Sequence, residues 1–220
     1  MNESLVKKAI VTYIYSLLNT KYPEYFKRYE AINAEGTTVS YPNVYWANTL
    51  MNRPSDATEC VLTPTKCQSL VYGIDGKFYK GTDDKYYIEE IEPKILTVNI
   101  QVTSMKSKDL GIKTDLQAQN LVEESCSYIE NQLKSGSALN YFQYDNEIFT
   151  PIEVITSLGD TTDIEDVSIF EDTQARHTCQ FSCKFRFSEN GSREADVAAN
   201  ESVTLTKLTE NLEIEFNVSE

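Results

Sequence analysis

The stretch Arg-His-Thr-Cys-Gln-Phe-Ser-Cys-Lys-Phe-Arg-Phe, residues 176–187, decides how this chain folds. Cys179, Phe181, Cys183, Phe185 and Phe187 fall on one side of an extended backbone, and Thr178, Gln180, Ser182, Lys184 and Arg186 on the other. A period of two held this long specifies a half-buried β-strand. Residues 95–103 repeat the pattern, with Leu96, Val98, Ile100 and Val102 against Thr97, Asn99, Gln101 and Thr103. Two strands with one apolar and one polar face belong to an antiparallel sheet covered on one side.

Two helical stripes can supply the cover. Leu5, Ala9, Ile10, Tyr13, Ile14, Leu17 and Leu18 recur at spacings of three and four, and Pro23 marks the stop. A second helix opens at Thr114, with Gln117 at the capping-box spacing, and carries Leu116, Val122, Cys126, Ile129 and Leu133. Its end is expected at Ser135-Gly136, where glycine accepts a left-handed turn. Glu59–Leu62 reads as a short strand, and Ser69–Ile74 leads through the hairpin signal Asp75-Gly76 into Lys77–Lys80. A turn at Gly81–Asp84 returns the chain through Tyr86–Ile91, before Pro93. Leu139–Gln143, Ile148–Ser157, Val203–Leu208 and Leu212–Val218 read as further strands, and Ser188–Ala199 as a polar loop. The expected architecture is α+β: an antiparallel β-sheet with two amphipathic helices packed on it, in the order helix, strands, helix, strands. It forms one domain over residues 1–220, with an extended hairpin and long loops inserted at about 20–58 and 69–91.

A hydrophobic fraction of 40% in 220 residues suffices for a sizeable core, which argues against disorder throughout. The net charge of −14 disfavours tight binding to nucleic acid through phosphate neutralisation. No apolar run approaches the roughly 20 residues that span a bilayer, and the amino terminus lacks a signal-peptide pattern, so synthesis and retention in a cytoplasm are expected. Asn2, Asn190, Asn200 and Asn217 match the glycosylation sequon by chance on this reading. The five cysteines form no CxxC pair. Cys179 and Cys183 stand about 13 Å apart along one strand face, too far to bridge, so reduced core thiols are expected.

Reactive groups do not converge in the sequence. The lone histidine, His177, heads a strand, and a dyad would have to be improvised with Cys179. GxSxG, HExxH, Walker and GxGxxG motifs are absent. The segment from Asp160 to Glu171 has the length of a calcium loop. Thr162 and Ile164 replace ligands, however, and Glu165 stands where the loop needs glycine. No catalytic, cofactor-binding or metal-ligating residue is assigned, and the chain is read as a non-enzyme.

Two stretches are unusual. Between Lys134 and Arg176 there are nine carboxylates (Asp145, Glu147, Glu153, Asp160, Asp163, Glu165, Asp166, Glu171 and Asp172) and no lysine or arginine. The plain reading is a solvated loop; the sharper one is a surface facing a polyanion that must not adhere. Residues 21–58 carry Tyr22, Tyr25, Phe26, Tyr29, Tyr41, Tyr45 and Trp46 without a sustained period. Aromatics this dense pack on their own domain or on a neighbouring subunit.

The order of these elements resembles the tail-terminator, or neck-terminator, proteins of tailed bacteriophages. The resemblance runs over most of the chain. It covers the first helix ending in Leu18-Asn-Thr-Lys21, Tyr45-Trp-Ala-Asn48 followed by Arg53-Pro54 and a strand, the strand Thr97–Thr103 and the helix Leu116–Leu133. It continues through Asp163-Ile-Glu-Asp-Val-Ser-Ile-Phe170 and the strand from Arg176 to Phe187. The segment 69–91 and the tail after Glu189 are longer than a minimal terminator needs, which leaves the neck or tail role open. The resemblance implies a structural virion protein, made in the host bacterial cytoplasm. It would form a homo-oligomeric ring, a hexamer or dodecamer, that terminates the tail tube and joins it to the head connector. Its partners would be connector, neck and tail proteins, and DNA would pass through the opening without adhering; no membrane and no cofactor are implied. Asp160, Asp163, Glu165, Asp166, Glu171 and Asp172 are the candidates to line the opening, and Tyr25, Phe26, Tyr29, Tyr41, Tyr45 and Trp46 the candidates for subunit contacts. Another head–tail connector or a tail-tube component is the alternative, followed by a non-viral acidic cytoplasmic binding domain.

Overall fold

Strands 95–103 and 176–187 become neighbours because each has one apolar face and the same helices cover both. The computed structural model describes residues 3–26, 28–32, 35–48, 58–70, 75–83, 85–142, 152–155, 163–171 and 174–194. The elements are α1 (Glu3–Lys21), β1 (Tyr29–Ile32), β2 (Thr38–Tyr41), β3 (Val44–Trp46), β4 (Glu59–Ser69), β5 (Asp75–Lys80), β6 (Tyr86–Ser104), α2 (Asp115–Leu133), α3 (Gly136–Asn140), β7 (Glu153–Ile155), β8 (Glu165–Asp166), β9 (Ile169–Glu171) and β10 (Gln174–Glu194). The fold is mixed α/β with a mostly antiparallel sheet. The main strand order is β3-β4-β6-β10-β7, with β8 and β9 also paired to β10. Only β3 and β4 pair in parallel among the described registers.

The chain divides into two compact units. One is Met1–Gly73 with Glu92–Glu189, and the other is Ile74–Ile91 with Asn190–Glu220. The second unit holds the hairpin of β5 with the start of β6, Asp75 opposite Ile91 and Lys80 opposite Tyr86. Its turn is closed by the Gly81 amide donating to the Lys85 carbonyl. Tyr79 and Tyr87 stack on it with ring centroids 5.6 Å apart.

The core lies in the first unit. Leu96, Val98, Ile100 and Val102 of β6 and Phe181, Cys183 and Phe185 of β10 are buried with Ile10, Ile14 and Leu18 of α1 and Val122, Cys126 and Ile129 of α2. Hydrogen bonds tie the facing strands together. Thr103 and Thr178 share one between their hydroxyls at 3.1 Å, and Asn99 donates to the Gln180 side chain at 3.0 Å. Thr178, expected on the wet face, is therefore buried and satisfied. Helix α2 begins with the expected capping box, in which the Thr114 hydroxyl accepts from the Gln117 amide and the Gln117 side chain accepts from the Thr114 amide.

Several expected boundaries give way to tertiary pairing. The Asp75-Gly76 turn does not form; both residues lie in β5, because β4 and β5 each pair with β6 rather than with each other. Strand β4 runs beyond Leu62 to Ser69, with a register shift at Pro64/Lys66 where proline cannot donate to the ladder. Gly136 starts α3 with Ser135 as its cap and takes no left-handed turn, so the strand expected from Leu139 is helical at its start. Of the strand expected over 148–157, Glu153–Ile155 is present among the described residues. The polar loop expected from Ser188 is strand as far as Glu194. Leu5 and Leu116, assigned to buried stripes, are 43% and 64% exposed, while Val6 and Leu121 are buried. The two strands expected over 203–218 lie outside the described residues.

Candidate functional site

Where it is described, the acidic stretch lies in short strands along the edge of β10. Glu165 and Asp166 in β8 face Gln180 and Cys179, and Ile169, Phe170 and Glu171 in β9 face Arg176, Ala175 and Gln174. The two pieces keep one register along β10, so directly opposed residues share a face. Phe170 and Asp166 thus stand on the side of Cys179, which the helices cover farther along; Ile169 and Glu165 stand on the polar side.

Asp163, Glu165 and Asp166 are exposed. Asp166 accepts from both the amide and the hydroxyl of Ser168, and these bonds hold its carboxyl below the usual range. Ser168 in turn accepts from the Thr178 amide at 3.1 Å, and the Val167 amide donates to the Thr178 carbonyl at 2.8 Å. The ribbon is fixed to β10 largely by its backbone, and of its other described carboxylates Asp163 is exposed and Glu165, also exposed, accepts from Gln180 Nε2 at 3.4 Å. Glu153, in β7, pairs with Arg186 at 3.5 Å, so one member of the acid-only stretch finds its cation across the sheet. Asp160 and Asp172 lie outside the described residues, and the side chain of Glu171 does too.

The same ribbon carries two exposed apolar side chains, Phe170 at 72% and Ile169 at 57%. Phe170 meets the buried His177 edge to face, with ring centroids 5.8 Å apart. His177 Nε2 has no hydrogen-bond partner in the structure and stands 3.9 Å from Asp115 Oδ1. Asp115, held below the usual range by its bond to Lys106, is the first residue of α2.

The aromatic candidates separate into two groups. Phe26, a candidate for a subunit contact, is fully buried in the chain's own core beside Tyr22. Tyr25 and Trp46 pack partly buried against that core, and Trp46 Nε1 donates to the Lys7 carbonyl at 3.1 Å. Tyr45 donates to Glu59 at 2.8 Å. The side chains of Tyr29 and Tyr41 lie outside the described residues, although their backbones pair as the first rung of the β1–β2 ladder. The long ordered loop with short pieces of structure expected over 21–58 contains the β1–β2 hairpin and the short strand β3. Sequence reasoning singles out the acidic neighbours of Phe170 and Ile169 but not these two as exposed groups. Apolar residues on both faces of so short a segment were the available signal.

No disulfide joins any of the five cysteines, and all but Cys67 are buried. Burial pushes the Cys179 thiol up to about 11 and Cys183 up to about 12, so neither supplies a thiolate near neutral pH. Among the described residues no group of three potential ligands could hold a metal ion, and no helix is long and apolar enough to cross a membrane. The sequence matches no family model and no curated protein.

Proposed function

We propose that this chain is a structural protein of a tailed-bacteriophage neck or tail, a ring-forming terminator that closes the tail tube and joins it to the head connector. The observation that carries this reading is the ribbon Asp163–Glu171, paired along β10, in which exposed Asp163, Glu165 and Asp166 stand with exposed Ile169 and Phe170. Isolated stability gives no reason for such a strip. Clustered carboxylates repel one another, and an exposed phenylalanine on a sheet edge invites association. In a ring both features find a use: apolar edges are buried between subunits, and carboxylates repeated around an opening keep DNA from adhering.

The reading is non-enzymatic. His177 is buried under Phe170, and the Cys179 thiol is kept protonated, so the one improvised dyad lacks its nucleophile. Asp160, Asp163, Glu165, Asp166, Glu171 and Asp172 approach the opening in this proposal, and connector and tail proteins are the partners.

The test is a triple variant, Asp160→Lys, Asp163→Lys and Asp172→Lys, carried by the phage. At physiological salt the screening length is about 8 Å, so charges repeated around a narrow channel act on its contents, whereas the same charges on an outer surface act weakly. The variant should fold and assemble but retain DNA and slow its ejection. Normal ejection from correctly assembled particles would remove the carboxylates from the opening.

A further inference from the structure

Resting on the ring reading, we infer that successive subunits join head to tail, with Phe170 of one copy seated in the groove beside Trp46 of the next. The groove is a surface depression of about 600 Å³ whose lining includes Glu3, Lys7, Lys8, Val11, Trp46 and Asn48. Trp46 and Val11 supply its apolar lining, and Lys7 and Lys8 stand beside them. Lys7 pairs with Glu3 at 2.6 Å and lies 5.8 Å from the Trp46 ring centroid, while Lys8 is exposed. In a chain of net charge −14, this is a recess lined by two lysines and one carboxylate around Trp46 and Val11. The ribbon has the opposite character: an exposed aromatic with Asp163, Glu165 and Asp166 within seven residues of it in sequence.

The topology sets these two surfaces at opposite edges of one sheet. Trp46 belongs to β3, the first strand of the order, and Phe170 to β9, on the outer side of β10. Four strand spacings separate β3 from β9, roughly 19 Å at 4.8 Å each, so a protomer cannot seat its own Phe170 in its own groove. Both residues lie on the helix-covered side. Trp46 is opposite Leu62, which is buried there, and Phe170 is opposite Ala175, two positions before His177 and four before Cys179. Complementary surfaces at opposite edges form a heterologous contact, which propagates from copy to copy and closes when the rotation allows. An apolar anchor in a recess with a charged rim is the arrangement that concentrates binding energy at protein contacts.

The experiment uses the full chain and two surface variants, Phe170→Ser and the pair Lys8→Glu with Asn48→Glu, and reads their self-association by analytical ultracentrifugation. All three positions are exposed, so circular dichroism and melting should match the parent. Each variant alone should self-associate at least about tenfold more weakly, the loss of a modest anchor or charge pair. Mixed in equal amounts they should form one-to-one pairs that grow no further, because one retains only a working groove and the other only a working Phe170. Parental association by both variants would overturn this contact and leave the ring reading in place. Weakened variants that fail to pair on mixing would overturn its head-to-tail character. A parent that stays monomeric up to its solubility limit would overturn both the contact and the ring.

Discussion

Cys126 of α2 donates its thiol proton to the Cys179 carbonyl of β10 at 3.3 Å, and this bond fastens the central helix to the strand that carries the acidic ribbon. Both thiols are buried, and burial holds both in the protonated form. Alkylation with iodoacetamide at neutral pH should therefore modify Cys67 first and leave Cys60, Cys126, Cys179 and Cys183 untouched until the protein unfolds. Peptide mass mapping checks this, and early labelling of Cys179 would show that the helix does not cover it.

The same thiols give the fold a basic limit. Cys179 and Cys183 have folded-state values raised to about 11 and about 12 from an ordinary 9.0. A group raised on folding contributes stability fully below its unfolded value and loses it as pH rises toward the folded one. Denaturation midpoints should hold steady to about pH 9 and fall between there and pH 12. Replacing both cysteines by alanine should lower stability at neutral pH and flatten this decline, although tyrosine and lysine titration will leave part of it.

Phe181 and Phe26 test where the core lies. Each is essentially fully buried, so replacement by alanine should cost about 3–5 kcal/mol in chemical denaturation of the isolated protein. For Phe26 the comparison is decisive between two roles: a loss below about 1 kcal/mol, with assembly impaired, would make it a subunit contact.

How much of this was legible depends on whether a signal was local. The capping box at Thr114 was, because donor and acceptor lie three residues apart and need no tertiary partner. So were the alternating faces of β6 and β10, since burial of one side fixes the period. Asp75-Gly76 misled because a turn dipeptide forms a hairpin only where its flanks pair with each other, and here both flanks found β6. Gly136 misled because Ser135 serves better as the cap of a new helix, accepting from the Ala138 amide. Of the candidate surface, the carboxylates could be read directly and Phe170 could not. Whether an apolar residue in a short edge strand is covered depends on how far the helix layer reaches.

The capping box itself should be measurable. Thr114→Ala removes the acceptor for the Gln117 amide and should cost about 1 kcal/mol, within the range for helix caps. Gln117→Ala should cost less, and the double variant should cost less than the sum of the two, because the two bonds are reciprocal. Additive losses would mean the bonds act separately.

The central claim is that this chain builds a closed ring, and negative-stain electron microscopy of the purified protein tests it most directly. The account predicts discrete rings of uniform diameter with an open centre, stopping at a single layer. Rings that stack into tubes would make it a tail-tube component instead, and a field of monomers at concentrations where connector proteins assemble would contradict the account.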